Sequence, residues 1–466
     1  MTLNAIALAD FGSTFTKLTI VEVGSGRRLA SAQAPTTVHT DVMEGYALAF
    51  ERAKRQLPPN TSIVEKLAAS SAGGGLRVAS VGLVPDYTAA AARQAALNAG
   101  GKVELVLAGR IEVDQIAALE AREPEIVLFS GGTDGGQRDQ VLNNARAVAS
   151  ARFDAHVIVA CNRDIADAVA ELFVAGGHSA EIVGNVLPEI RTLDIDPART
   201  AIHDAFIERV IRGKGLSQSE EFGSSVVMPT PEAVLIATRL LAEGPPGGYG
   251  VGNVLIVDIG GATTDVHSAV ALAPHSPGIT TEGLPPLPLT RSVQGDLGMR
   301  WSALGVYEAD CDWLDGETAE RAWPGDSAVV GAQRRHNDPS FMPQSEQDEA
   351  LDRLFATSCI KHALRRHCGT LRTVYVPNQG TSFIQQGLDL REVPRIIGTG
   401  GMLVHDDTAG DTLGVALERR EEGSLVPTGA SVSLDKQYVL AAAGLLATRD
   451  QVAAYALLIR ELGIDG

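Results

Sequence analysis

The spacing of apolar and polar residues changes along the chain. Asn4–Ala9 is a short apolar run that ends at Asp10-Phe11-Gly12-Ser13-Thr14. Phe15–Val23 alternates threonines with β-branched residues, and Gly24-Ser25-Gly26 predicts a hairpin turn before Arg28–Ala34. Met43–Gln56 has helical spacing. Short β-like runs (Leu76–Val84, Val103–Ala108, Ile126–Ser130, Ala155–Ala160) then alternate with Ala-rich stretches (Ala89–Ala99, Gln140–Ala149, Arg163–Gly176). That alternation predicts an α/β domain with a mainly parallel sheet.

The N-terminal pattern returns. Asn253–Asp258 is an apolar strand followed by Ile259-Gly260-Gly261-Ala262-Thr263-Thr264-Asp265-Val266. LADFGSTFTKLTIV and IVDIGGATTDVHSAV both place an acidic residue at a strand end. In both, a Gly follows two residues later, then small or hydroxyl residues, then a second strand. A separation of roughly 250 residues predicts a duplicated domain rather than a solenoid period. Between these landmarks, Arg191–Arg212 has the period of a surface helix. Ala273–Pro288, with five prolines, predicts an extended loop. Cys311–Asp348, charged and turn-rich, predicts a surface insertion or a partly mobile segment.

Composition narrows the chemistry. With 39 basic against 57 acidic residues, the net charge is −18. That argues against a general nucleic-acid binder, which must neutralise phosphates with Lys and Arg. An anion site must then be local, built from backbone N–H groups or a bound metal. Four cysteines in 466 residues exclude a disulfide scaffold. The first residues lack a basic region before an apolar stretch, and no apolar run is long enough for a membrane helix. A soluble, cytoplasmic protein without a membrane or nucleic-acid partner is expected.

Two acidic-Gly-hydroxyl hairpins can hold a nucleotide–metal complex. Glycines let backbone N–H groups approach phosphate oxygens, and carboxylates hold Mg²⁺ with its waters. Read singly, either hairpin is equally well a plain turn. A third element, Arg395-Ile396-Ile397-Gly398-Thr399-Gly400-Gly401-Met402, runs a strand into a Gly cluster on which a base or ribose can lie. Alone, it too reads as a tight turn. Ser130–Gly136 is either an anion-binding nest or a structural Gly-rich turn. Glu189 is a conceivable water-polarising base, with a solvated or helix-capping Glu the plainer reading. Cys359, His362, His367 and Cys368 do not share one helical face or fit a standard finger. An amphipathic helix with exposed histidines is expected there, and Cys161 reads as a buried core thiol.

Asp10–Lys17, Asp258–Asp265 and Gly398–Gly401 resemble, in order and separation, the phosphate-1, phosphate-2 and adenosine motifs of the actin/sugar-kinase/heat-shock-chaperone ATPase superfamily. The resemblance implies a two-lobed α/β actin-like ATPase with duplicated ribonuclease H-like domains and a nucleotide cleft between the lobes. The lobes would be 1–190 and 191–466, with a C-terminal helix 435–448 packing back near the cleft. Asp10 and Asp258 would hold Mg²⁺ and the attacking water. Gly12, Ser13 and Thr14 would cradle phosphates, with Lys17 reaching them as a point charge. Gly260, Gly261 and Thr263 would hold the γ-phosphate side, and Gly398, Gly400 and Gly401 the adenosine. Gly295-Asp296-Leu297-Gly298 is similar to the element following phosphate-2 in the chaperones, at a shorter spacing.

Within that superfamily, nearly the whole chain resembles the glutamate mutase L family, which is unrelated to the similarly named mismatch-repair protein. The segments that carry this include Ala34–Tyr46, Ser70–Ala92, Gly184–Ile190, Met228–Leu235, Ser292–Ala303 and Leu434–Ala447. The resemblance implies an accessory ATPase, not the mutase itself, that reactivates or assembles an adenosylcobalamin-dependent mutase. A small-molecule kinase, an actin-like filament or scaffold protein, and use of GTP instead of ATP remain open.

Overall fold

A computed structural model of the chain describes residues 2–211, 215–272, 278–321, 323, 327–376 and 380–464. The chain divides into two compact units. One comprises Met1–Val234, Gly283–Pro285 and Ala441–Ala453; the other comprises Leu235–Glu282, Pro286–Leu440 and Ala454–Gly466. Residues 191–234 thus group with the N-terminal part of the chain. The boundaries after Val234, Leu440 and Ala453 fall inside the helices Thr230–Glu243, Val439–Ala447 and Gln451–Leu462.

The first unit contains a sheet in which Leu3–Phe11 pairs antiparallel with Phe15–Glu22. Phe15–Glu22 in turn pairs antiparallel with Arg28–Pro35. On its other side Leu3–Phe11 pairs parallel with Thr61–Ser70, which pairs parallel with Val226–Pro229. The expected hairpin and the helix Val42–Lys54 are both present, the helix capped by Asp41 accepting from the Met43 N–H at 2.8 Å.

The second unit repeats this topology strand for strand. Val254–Ile259 pairs antiparallel with Thr264–Ala269, which pairs antiparallel with Leu289–Gln294. Val254–Ile259 also pairs parallel with Arg395–Thr399, which pairs parallel with Ser431–Leu434. Both sheets therefore have the order third, second, first, fourth, fifth, with the same strand senses. This is the duplicated ribonuclease H-like arrangement of an actin-like fold.

Between its fourth and fifth strands the first unit carries a further five-stranded sheet. Its order is Lys102–Leu107, Arg77–Val81, Ile126–Gly131, His156–Cys161, Ser179–Ile182, all parallel. Val127, Phe129, Val157 and Val159 pack one face against Leu119, Val141, Val148 and Phe173 of its helices. Such near-continuous apolar strands are what a sheet covered on both faces requires.

Two expectations for the second unit need correction. Within Cys311–Asp348, most described residues are helical: Ala303–Glu320 runs into the segment and Ala328–Asn337 follows. Two of its charged residues, Arg335 and Asp348, are buried, while most of the others described are exposed. Arg335 is fully buried and bonds Asp352 at 2.6 Å, and Arg300 reaches the same carboxylate at 3.0 Å. The segment lies largely at the surface, as expected, but it is helical rather than turn-rich. Within Ala273–Pro288, Ile279–Glu282 is a strand joining Thr370–Val376 and Gly380–Gln386 in a three-stranded sheet; residues 273–277 lie outside the described residues.

Candidate functional site

The two strand-end hairpins are built alike. In the first, Asp10 stands opposite Lys17 in the ladder, and the Gly12 N–H donates to the Phe15 carbonyl at 3.2 Å. In the second, Asp258 stands opposite Asp265, and the Gly260 N–H donates to the Thr263 carbonyl at 2.8 Å. A Cβ on Gly12 would lie 2.7 Å from the Phe15 carbonyl oxygen, so the tight turn itself requires glycine there.

The carboxylates differ in their partners. Asp10 is 8% exposed; its Oδ1 accepts the Thr230 hydroxyl at 2.6 Å, and its Oδ2 lies 3.7 Å from Lys17 Nζ. Asp258 is half-buried with Tyr438 close by. Burial, then the charges of Asp258 and Asp435, push the Tyr438 phenol well above its usual range. Asp435, almost fully buried, accepts the Val439 and Leu440 N–H groups at 2.8 and 3.2 Å and so caps the helix Val439–Ala447. Where the first hairpin has Lys17, the second has Asp265. Asp265 is held by Arg291 at 2.9 and 2.5 Å and by the Thr263 hydroxyl at 3.1 Å.

The hairpin tips suit phosphate oxygens. Among the described residues no acceptor meets the N–H groups of Ser13 and Thr14, both exposed. A Cβ on Gly261 would meet nothing nearer than the Arg300 stem at 3.7 Å. Among the described residues no group of three or more His, Cys, Asp or Glu side chains is placed to hold a metal ion. A Mg²⁺ held here by one or two carboxylates would keep waters and phosphate oxygens in its shell, which is how this ion usually binds.

The third motif divides. Gly398 is buried, and a Cβ there would lie 2.9–3.1 Å from Leu413, Leu403 and Leu434. Gly400 has φ +98°, and its Cβ would lie 2.2 Å from the Ile259 carbonyl oxygen. Packing alone therefore accounts for both glycines. Gly401, exposed at the start of the helix Gly401–His405, has no heavy atom within 4 Å of a Cβ and leaves room for a ligand.

The remaining candidates resolve toward structure. In Ser130–Gly136, the Asp134, Gly135 and Gly136 N–H groups bond Pro188 O, Asn162 Oδ1 and Thr133 O, so the loop is a turn with those donors occupied. Glu189 is exposed and bridges Thr192. Asp296 pairs with Arg366 at 2.6 Å. Cys161 is a buried thiol, as expected, and burial pushes it up to about 12.

The expected exposed histidines are a correction. His362 and His367 are buried, as are Cys359 and Cys368, because Glu346–His367 runs through the core of its unit. His367 bonds Ser292 and Ser268 at 2.8 and 2.9 Å, and burial pushes it down to about 3, a neutral core imidazole.

The sequence reading missed Thr230, Arg291, Asp435 and Tyr438. Thr230 has a local signal: Thr-Pro-Glu before an apolar run marks a helix start directly after a strand.

A family model described as MutL protein matches residues 6–462. Protein MutL from Clostridium tetanomorphum is 38% identical over 450 residues, 96% of each chain. The chain belongs to the MutL protein family. Solved structures resemble this MutL-family chain more distantly. A glycerol dehydratase reactivase matches at TM-score 0.36 and 11% identity, over 95% of this chain and 99% of that one. The nucleotide-free structure of acetone carboxylase, described as carrying out ATP-dependent acetone carboxylation, matches at 0.37 and 13%, over 96% and 70%. Xylulose kinase from Bifidobacterium adolescentis matches at 0.31 and 12%, over 97% and 93%. These scores are low, and the actin-like assignment rests on the repeated sheet topology. Among the described residues no helix is long and apolar enough to cross a membrane.

Proposed function

We propose that the chain binds Mg²⁺-ATP, hydrolyses it, and couples the resulting lobe movement to reactivation or assembly of an adenosylcobalamin-dependent mutase, glutamate mutase in the family reading. The carrying observation is the repeat: two sheets of one topology, each ending its first strand in a carboxylate followed by the same glycine turn. Membership of the MutL family supports the accessory role.

In this reading Asp10 and Asp258 hold the waters of the ion, and Ser13 and Thr14 offer N–H and hydroxyl donors to phosphate oxygens. Gly260, Gly261 and Thr263 do the same from the second hairpin, with Gly401 beside the adenosine. Lys17 adds a cation that Asp10 keeps oriented. When bound, Mg²⁺ supplies neutralisation of phosphate charge, most of what phosphoryl chemistry needs beyond positioning. Different affinities of ATP and ADP for two conformations are what convert hydrolysis into movement.

Calorimetric titration with ATP, ADP and GTP, with and without Mg²⁺, tests the first step. Mg²⁺-dependent ATP binding that Asp10→Ala and Asp258→Ala each abolish is expected. Purified protein with ATP should then restore activity to inactivated glutamate mutase. No nucleotide binding by the wild type removes the ATPase reading; acceptor-dependent ADP formation with a sugar or small acid in its place would make the chain a kinase.

A further inference from the structure

Thr230 is the first residue of the helix Thr230–Glu243, immediately after the fifth strand of the first unit's sheet. Its hydroxyl donates to Asp10 Oδ1 at 2.6 Å across 220 residues of sequence. Asp10 is 8% exposed at the end of the first strand, and this hydroxyl and Lys17 are set against it. A carboxylate on a strand end has a free χ2, so its two oxygens exchange roles unless one is tied. The Thr230 hydroxyl ties Oδ1 and leaves Oδ2 on the Lys17 side. The second unit uses the corresponding place differently. Asp435 follows its fifth strand and points both oxygens at the N–H groups of its own helix.

We infer that Thr230 is a positioning residue for the nucleotide site: its hydroxyl fixes the rotamer of Asp10 so that Oδ2 faces the water shell of Mg²⁺. The inference rests on the proposed ATPase reading and adds one residue to it. The neighbourhood supports a fixed position for that hydroxyl. Glu232, two residues on and buried, is gripped by His203 at 2.7 Å and lies 3.8 Å from Arg199, so the first turn of the helix is tied down from the side. Hydrogen bonds to charged groups contribute more than neutral ones, so loss of this one should be measurable.

Thr230→Val keeps the shape and removes the donor; Thr230→Ser keeps the donor. Calorimetry of Mg²⁺-ATP binding, the Mg²⁺ concentration needed for half-maximal binding, and the unfolding midpoint are measured on all three full-length proteins. The expected result is Mg²⁺-dependent affinity about tenfold or more weaker in Thr230→Val, near wild type in Thr230→Ser, with metal-free ATP binding equal in all three. If Thr230→Val unfolds, Thr230→Ser and Thr230→Ala supply the comparison. Equal Mg²⁺ dependence in the wild type and the donor-less variants, or loss in Thr230→Ser as large as in Thr230→Val, overturns the assignment while the ATPase reading stands. No Mg²⁺-ATP binding by the wild type overturns both.

Discussion

Replacing Gly400 by alanine separates a structural glycine from a ligand-lining one. The new Cβ would stand 2.2 Å from the Ile259 carbonyl oxygen, 2.8 Å from its carbon and 2.9 Å from its nitrogen. Every neighbour in that set is backbone of Val254–Ile259, the central strand that carries Asp258, and backbone cannot rotate out of the way as a side chain can. Forcing a non-glycine residue to φ +98° adds about 1–3 kcal/mol of strain. Overpacking adds about 1–3 kcal/mol. The sum, about 2–6 kcal/mol, is a large part of the ~5–15 kcal/mol that holds a domain together. Denaturant unfolding should therefore show a lower midpoint at unchanged slope. Gly401→Ala is the matched control, with open space around its Cβ and a better helix former at a helix start. It should unfold like the wild type. Wild-type stability in Gly400→Ala combined with weakened ATP binding would refute the packing argument and make Gly400 a ligand contact.

Two further perturbations follow from buried charge. Asp310, at a kink in Ala303–Glu320, accepts from Ser358 at 2.8 Å, Lys361 at 3.0 Å and Arg419 at 2.8 and 3.0 Å, with His362 3.5 Å away. Burial pushes this carboxyl up, but its partners outweigh that and hold it well below the usual carboxylate range. Asp310→Asn leaves the cations short of their counter-ion and should cost about 3–5 kcal/mol in equilibrium unfolding; a loss within error would mean that water reaches the cluster. His203 is raised above its ordinary value, first by its hydrogen bond to Glu232. The pair's contribution is then complete below about pH 6.5 and fades as pH rises through the folded value. The difference in melting temperature between wild type and His203→Gln should shrink with rising pH; a gap that widens would reverse the assignment.

What could be read from the sequence was local. The hairpins at Asp10 and Asp258 show themselves because a strand end, a turn glycine and the returning strand lie within ten residues, and turn chemistry is short-ranged. Thr230 stayed hidden because its partner lies 220 residues away. Arg291 reaches Asp265 only through the sheet register, 26 residues on. The helices within Cys311–Asp348 read as turns because their many exposed polar residues leave little apolar period, and the interior pairing of Arg335 with Asp352 joins residues 17 positions apart. The small sheet of Ile279–Glu282, Thr370–Val376 and Gly380–Gln386 gave little periodicity because its strands are half-exposed, with Tyr375 77% exposed.

The long insertion has a consequence for biosynthesis. Thr61–Ser70 and Val226–Pro229 are adjacent in the finished sheet, yet residues 71–225 are made between them. At about 5–20 residues per second, a ribosome takes roughly 8–30 s to deliver the missing strand. For that time Ala68–Ser70, the residues that Val226–Pro229 covers, present open backbone donors and acceptors, the kind of edge on which nascent chains associate. The inserted parallel sheet, complete by Ile182, can fold within this interval because its strands follow one another along the chain. Its early folding buries its own apolar strands before Val226–Pro229 emerges, but the wait for that strand is set by elongation alone. Slowing elongation anywhere between codons 71 and 225 lengthens this exposure and should lower soluble yield.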